Sequence, residues 1–256
     1  MSMTVALAVE LLHSASLLHD DLIDDADTRR GKEAAFRRYG NIVSVMSGDF
    51  MLAKVLSLLA RSKSPEFTQL MSQTAADICE AEVLQFQMAS LETYSFENYY
   101  RIISGKTAVL LAAALEGVAI LAGQEEAREP LRTYAMAYGR AFQMQDDYLD
   151  LLGESEKLGK PIGGDLKEGK ATYAVLKLIL EEDVTEARAI LRRHASQEAD
   201  VLRMRDLVIS KAIDQAAKAA IITEAQKAKE ALAHFPKSRA KVILLELADR
   251  EIHRAK

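Results

Sequence analysis

The chain has 256 residues, of which 49% are hydrophobic and 28% are charged, and its formal net charge is −5. A chain of this length and composition can bury a substantial core, which excludes a disordered or fibrous protein. The net negative charge gives no general attraction to nucleic acid or to acidic lipid, so neither is an expected partner.

The numbers of prolines, glycines and cysteines indicate the fold class and the cellular location of the protein. The chain contains only 4 prolines and 12 glycines, and no linker or change of composition divides it, so we expect one all-α domain over residues 1–256. The single cysteine, Cys79, cannot form an internal disulfide and no signal peptide is visible, which favours a cytoplasmic protein. The longest apolar run, Val109 to Ala122, is interrupted by Glu116. We therefore expect no transmembrane segment.

In chain order, apolar residues recur at intervals of three and four, which predicts helices throughout, and strand-like alternation is nowhere sustained. Breaks are expected at Ser64-Pro65, Gly123, Glu129-Pro130 and Phe235-Pro236. The predicted helices cover residues 3–26, 34–61, 66–89, 95–103, 105–122, 127–152, 171–181, 183–195, 198–220, 221–233 and 237–254. One long irregular stretch, Gly153 to Gly169, is either a lid over a phosphate or a plain surface connection.

The first predicted helix ends in an acidic cluster. Asp20 and Asp24 are four residues apart, as are Asp21 and Asp25, so each pair projects from one helix face. The apolar run from Val5 to Leu18 leads directly into the cluster, which indicates a helix with a buried face. Taken alone, such a cluster is more often a solvated helix end than a metal site.

A second acidic cluster favours the metal site. Asp146 and Asp150 again lie four residues apart, with Asp147 and apolar residues between them. Mg²⁺ binds carboxylate oxygens and commonly shares its other positions with substrate phosphates. Two such helices suggest carboxylates facing each other across a cavity with metal ions between them, and Arg29 and Arg30 suit a phosphate.

These residues resemble the all-trans polyprenyl diphosphate synthases, which extend an allylic diphosphate with isopentenyl diphosphate. The resemblance runs from about His13 to Thr172 and rests on several motifs in the family's order. The motifs are Asp-Asp-x-x-Asp at Asp20, Asp21 and Asp24, Arg-Arg-Gly at Arg29 to Gly31, Gly48-Asp49, Gly105-Lys106-Thr107-Ala108, Phe-Gln-x-x-Asp-Asp-x-x-Asp at Phe142 to Asp150, Gly159-Lys160-Pro161, Gly164-Asp165-Leu166 and Gly169-Lys170-Ala171-Thr172.

The resemblance implies a helical bundle of the isoprenoid synthase type with a central active-site cavity and a requirement for Mg²⁺. Its implied metal ligands are Asp20, Asp21, Asp24, Asp146, Asp147 and Asp150. The implied residues around the diphosphate and allylic group are Arg29, Lys106, Thr107, Gln143, Lys160 and Lys170. His13 and Arg30 correspond to positions that bind isopentenyl diphosphate, although His13 could equally be a core histidine.

The product length is suggested by the residues one turn before Asp20. Ala15 and Ser16 lie where short-chain relatives place an aromatic plug. Small side chains there would leave a tunnel open, so we expect a product of four or more isoprene units.

The sequence departs from the family at its start. The usual Gly-Gly-Lys-x-x-Arg-Pro motif, whose lysine and arginine hold isopentenyl diphosphate, is absent. The chain is then either truncated or naturally short, and an uncovered apolar face would favour a homodimer or a heteromer with a second subunit. The alternatives to a catalytic prenyltransferase are a non-catalytic or partner-dependent subunit of a heteromeric synthase and a magnesium-dependent terpene cyclase.

Overall fold

The structure is a computed structural model that describes residues 2–153 and 162–254. Helices dominate these residues, so the all-α prediction is confirmed. The helices are α1 Ser2–Ile23, α2 Ala35–Tyr39, α3 Asn41–Ser62, α4 Pro65–Ser90, α5 Phe96–Ile103, α6 Val109–Leu121, α7 Glu125–Leu152, α8 Gly164–Lys167, α9 Tyr173–Leu180, α10 Thr185–Arg192, α11 Asp200–Ser210, α12 Ile213–Ala231 and α13 Arg239–Arg254. A π-helical turn, Ser104–Ala108, joins α5 to α6.

The described residues form two compact units. The first contains the residues up to Ala76 together with Ala112–Glu129, and the second contains Asp77–Leu111 together with the residues from Pro130 onward. The sequence-based expectation of a single domain stays a prediction.

In the first unit, α1 packs along α3. The buried apolar residues of α1 are Val5, Ala8, Leu12 and Ala15, whose spacing of three and four places them on one helix face. At Gly48 an added Cβ would lie 2.3 Å from Nε2 of His19. A side chain at position 48 would therefore displace the His19 ring next to the first acidic cluster.

The second unit is built around α9. Every residue from Ala174 to Ile179 except Lys177 is buried, and a helix that is apolar on nearly all sides belongs in a core. It packs against α5, α10, α11 and α12. This core fixes the main chain on both sides of the second acidic cluster, because it also contains Met144 and Leu151 of α7.

Several predicted boundaries are wrong. Pro130 does not break a helix, because it is the sixth residue of α7 and removes only one bond near the helix start. Gly40, with φ of +86°, separates α2 from α3 where one helix was predicted. The break predicted after residue 220 lies instead at Ala212, whose φ is +54°. Nothing in the residue type of Ala212 signals a left-handed conformation.

A small antiparallel hairpin follows α1. Its strands are β1 Thr28–Arg29 and β2 Lys32–Glu33, with Arg29 paired to Lys32. The two connecting residues, Arg30 and Gly31, have φ of +52° and +74°. Positive φ at both loop positions is the geometry of a type I′ turn, which suits two-residue hairpins.

Among the described residues, three helical stretches are long and apolar enough to cross a membrane by length and composition alone: Ser2–Ile23, Asn41–Ser62 and Phe96–Leu121. The π turn makes the apolar run at 109–122 part of a 26-residue helix, which is long enough to span a membrane, so the expectation of no transmembrane segment stays a prediction. In that helix, 50% of the most apolar 18-residue segment is buried. In each of the other two, only 22% of the corresponding segment is buried. Much of the apolar surface of α1 and α3 is therefore exposed.

Candidate active site

The first acidic cluster lies at the C-terminal end of α1. Asp20 and Asp21 belong to its last turn, and the N–H of Asp24 donates to the carbonyl of Asp20 over 2.8 Å. Carboxylates at this end of a helix add to the partial negative charge of its free carbonyls. The cluster therefore needs cations, and Asp20 and Asp24 are both partly accessible to them.

Arg29 supplies one of these cations. Its Nε donates to Oδ1 of Asp21 over 2.7 Å, and its terminal nitrogen bonds the same oxygen. Asp21 is 3% exposed, so the carboxylate faces the arginine rather than solvent. The tight turn at Arg30 and Gly31 brings the hairpin back and leaves Arg30 itself exposed.

The second acidic cluster occupies the C-terminal part of α7. Asp146 is exposed, whereas Asp147 and Asp150 are buried. Oδ2 of Asp147 accepts from the Tyr99 hydroxyl over 2.8 Å, and Oδ1 accepts from Nε2 of Gln143 over 2.9 Å. Burial raises the pKa of Asp147 to about 6, although both hydrogen bonds oppose this rise. Burial also raises the pKa of Tyr99 well above its usual value.

Asp150 supports the segment that follows the cluster. Its Oδ2 accepts the backbone N–H of Asp165 over 3.0 Å, and its carbonyl accepts the N–H of Gly163 over 2.7 Å. The short helix α8 is thereby attached to the end of α7. Burial, together with the nearby charges of Asp147 and Asp150, raises the pKa of Asp165 well above its usual value.

The π turn brings predicted site residues from distant parts of the sequence together. Oγ1 of Thr107 donates to Oε1 of Gln143 over 2.7 Å. Thr107, Gln143, Asp147 and Tyr99 therefore form one continuous row of hydrogen bonds. π turns of this kind occur frequently at functional sites.

A small cavity of ≈ 80 Å³ lies beside this row in the second unit. Its apolar wall includes Met88, Ile102 and Ile103. Its polar lining consists of Gln85, Tyr99, Lys106, Gln143, Asp147, Asp165, Lys170 and Thr172. The lining thus combines an apolar wall with two lysines, whose charge suits an anionic group.

Two predicted diphosphate-binding lysines line this cavity. Nζ of Lys106 lies 2.7 Å from Oε2 of Glu82, and Lys170 forms an ion pair with Glu168. The predicted Lys160 lies outside the described residues, as do residues 154–161 of the predicted lid.

The predicted site residues of α1 belong to the first unit. Ala15 is fully buried, and Ser16 donates its hydroxyl to the carbonyl of His13 over 2.9 Å. His13 is half-buried. Their roles, like those of the six aspartates, stay predictions. Within residues 2–153 and 162–254, no three His, Cys, Asp or Glu side chains are grouped closely enough to hold a metal ion by themselves.

Three residues of this region had no role assigned from the sequence. Tyr99 bonds Asp147, and Glu82 forms an ion pair with Lys106. In each pair the partner lies far away in the chain, so no local sequence pattern marks Tyr99 or Glu82. Asp165 belongs to the Gly-Asp-Leu motif, and its position beside the second cluster was the available signal.

Comparisons with known proteins show what the chain is similar to. A family model described as polyprenyl synthetase matches residues 2–208. The octaprenyl diphosphate synthase of Haemophilus influenzae is 37% identical over 253 residues, which cover 96% of this chain and 76% of that protein. The heptaprenyl diphosphate synthase component 2 of Bacillus subtilis is 33% identical over 245 residues, covering 95% and 70%. A crystal structure of a polyprenyl synthase from Caulobacter crescentus, complexed with calcium and isoprenyl diphosphate, has a TM-score of 0.88 and 40% identity, covering 99% of this chain and 78% of that one.

Proposed function

The chain belongs to the polyprenyl synthetase family and is a prenyltransferase, and we propose that it condenses an allylic diphosphate with isopentenyl diphosphate to a product of at least four isoprene units. The observation that carries this proposal is the convergence of Lys106, Lys170 and Gln143 on one cavity that also has an apolar wall. An allylic diphosphate combines the same two properties in one molecule.

The lysines of the cavity would bind the diphosphate. In the reaction the bond between the allylic carbon and the diphosphate oxygen breaks, and its electron pair leaves with pyrophosphate. Ammonium groups of Lys106 and Lys170 would stabilise the charge that develops on the leaving group. The double bond of isopentenyl diphosphate then attacks the allylic cation, and the proton that is lost goes to the departing pyrophosphate.

Gln143 would lie next to the allylic group, held there by its neighbours. Its oxygen accepts from Thr107 and its nitrogen donates to Asp147, so both ends of the amide are fixed. Thr107 does not line the cavity itself. We therefore assign Thr107 a positioning role that acts through Gln143.

The accessible aspartates are the proposed ligands of Mg²⁺. Asp20, Asp24 and Asp146 are at least partly exposed, whereas Asp21 and Asp147 are buried and bonded to protein groups. Carboxylate oxygens fit Mg²⁺, which is typically bound through one or two carboxylates plus substrate phosphates rather than by a complete protein cage. Mg²⁺ held there would neutralise the diphosphate leaving group.

A second subunit is also proposed. On α3 the side chains of Ile42, Met46, Phe50 and Leu56 are 58 to 80% exposed, and the first three follow one another at intervals of four on one helix face. An apolar surface of this kind usually marks an interaction site. We propose that another subunit, either a second copy or a different chain, covers this face.

The activity is tested by incubating the protein with farnesyl diphosphate, radiolabelled isopentenyl diphosphate and MgCl₂, and by separating the products by chain length. The expected result is an elongated polyprenyl diphosphate, lost on chelation of the metal and in Lys106→Met. Activity that appears only after a second chain is added identifies a partner-dependent subunit. A cyclised hydrocarbon would contradict the proposal and identify a terpene cyclase.

A further inference from the structure

Lys106, which lines the cavity, has an acidic partner on α4. Nζ of Lys106 lies 2.7 Å from Oε2 of Glu82, and both side chains are mostly covered by protein. Nε2 of Gln85 donates a long bond of 3.4 Å to the other carboxylate oxygen. The ammonium group that we propose binds a diphosphate is therefore already paired with a carboxylate of the protein.

Backbone packing builds this pair into the fold. A Cβ added at Gly105 would lie 2.7 Å from the Cβ of Ala81 and 2.9 Å from the carbonyl oxygen of Asp77. The π turn and α4 therefore approach as closely as their backbones allow. Because Lys106 and Glu82 each follow one of the touching residues, the close approach places the two side chains together.

The opposite side of the π turn is fixed as well. A Cβ added at Gly139 of α7 would lie 2.5 Å from the Cα of Ala108, and Thr107 is bonded to Gln143. The main chain of the turn is thus held between two helices. The long side chain of Lys106 is the part that can change partners when a ligand enters.

We propose that Glu82 is an internal counterion that competes with diphosphate for the ammonium group of Lys106. In the empty site it holds the ammonium against the cavity wall, and a bound diphosphate must replace it. Its remaining negative charge then lowers the affinity for pyrophosphate and so promotes product release. This inference rests on the proposed role of Lys106 in diphosphate binding.

The direction in which pyrophosphate affinity changes, when Glu82 is neutralised, distinguishes a competing counterion from a structural residue. A residue that only orients Lys106 would, when neutralised, weaken pyrophosphate binding, because the lysine would lose its correct position. A competing counterion would, when neutralised, strengthen it. Glu82→Gln keeps the size and shape of the side chain and removes its charge, so it tests this difference directly.

The experiment is calorimetric titration of inorganic pyrophosphate at fixed MgCl₂ into the wild type, Glu82→Gln and a control, Glu80→Gln. The control residue is exposed on the same helix two positions away, so it makes the same charge change outside the cavity. We expect Glu82→Gln to bind pyrophosphate on the order of tenfold more tightly and the control to match the wild type. Unchanged or weaker binding by Glu82→Gln overturns the inference.

Pyrophosphate binding by Lys106→Met and a crystal structure with pyrophosphate complete the test. If Lys106→Met fails to weaken pyrophosphate binding, the proposed diphosphate site is wrong. If it weakens binding but Glu82→Gln does not strengthen it, only the counterion role is wrong. Should Glu82→Gln not fold, a wild-type crystal structure with Mg²⁺ and pyrophosphate decides. Lys106 Nζ is expected on a phosphate oxygen and away from Glu82, and a distance to Glu82 still below about 3.5 Å overturns the inference.

Discussion

Thr107 donates its hydroxyl hydrogen to the side-chain oxygen of Gln143 over 2.7 Å, and this bond links the π turn to the second acidic motif. The two residues lie 36 positions apart in the chain. The same glutamine donates to Asp147 over 2.9 Å. The orientation of the amide next to the proposed allylic group therefore depends on a hydroxyl that lies outside the cavity lining.

Removal of this hydroxyl should reduce catalysis more than substrate binding. Thr107→Val keeps the shape of the side chain and leaves the Gln143 amide held only at its nitrogen, by Asp147, so we expect kcat to fall about tenfold with little change in KM. Thr107→Ser retains the donor and should stay close to the wild type. Steady-state kinetics with isopentenyl diphosphate measure both. A proportional rise in KM at constant kcat would show that Thr107 acts in binding instead.

The pairing of Arg29 with Asp21 predicts a difference between two neighbouring arginines. Arg29→Met leaves a buried carboxylate without its partner at the C-terminal end of α1, so we expect the free energy of unfolding to fall by about 2 kcal/mol. Arg30→Met removes an exposed side chain and should change stability by less than about 0.5 kcal/mol. Urea unfolding of both variants measures the difference. Equal stabilities would mean that the Asp21 carboxylate does not depend on Arg29.

The two glutamines of the second motif should respond oppositely to the same substitution. Gln145 is 0% exposed, and neither side-chain oxygen nor nitrogen has a bonding partner in the described part of the chain. Each such atom costs about 1 to 3 kcal/mol, so Gln145→Met, which keeps the volume, should raise the melting temperature. Gln143→Met loses two bonds and should lower it. A lower melting temperature for Gln145→Met would indicate that a bound water or another group bonds the amide.

The glycine before Lys170 predicts a local steric effect. Gly169 has φ of +74°, and an added Cβ would lie 2.6 Å from Cε1 of His194. We expect Gly169→Ala to destabilise the protein by about 2 kcal/mol, because backbone strain and the clash add. It should also weaken pyrophosphate binding by displacing Lys170.

Gly123 offers a matched control that measures the backbone strain without the steric clash. Gly123 has φ of +66° and nothing within 4 Å of an added Cβ, so Gly123→Ala should cost only about 1 kcal/mol. Replacing His194 by alanine in the Gly169→Ala background should recover the difference. If the two glycine variants are equally stable, His194 moves aside freely and does not fix the segment that carries Lys170.

Periodicity in the sequence predicted the helices well because each one has an apolar face that must be buried. It wrongly placed a break at Pro130, which lies inside α7, and it missed the left-handed Ala212, whose conformation is decided by tertiary packing. The motifs marked Lys106, Gln143 and Asp147, which the structure brings together at one cavity, and their roles stay predictions. Tyr99 and Glu82 escaped prediction because their roles come from contacts between separate helices.

Product length gives the last prediction. Ser16 is half-buried and its hydroxyl bonds within α1, whereas Ala15 is fully buried. A phenylalanine at Ala15 would overpack its surroundings and unfold the protein, so Ser16→Phe is the better test. If these small residues leave the tunnel open, Ser16→Phe should shorten the main product by at least one isoprene unit without abolishing turnover. Chromatography of dephosphorylated products measures the length, with Ser16→Ala as the control, and an unchanged product length would place the floor of the tunnel elsewhere.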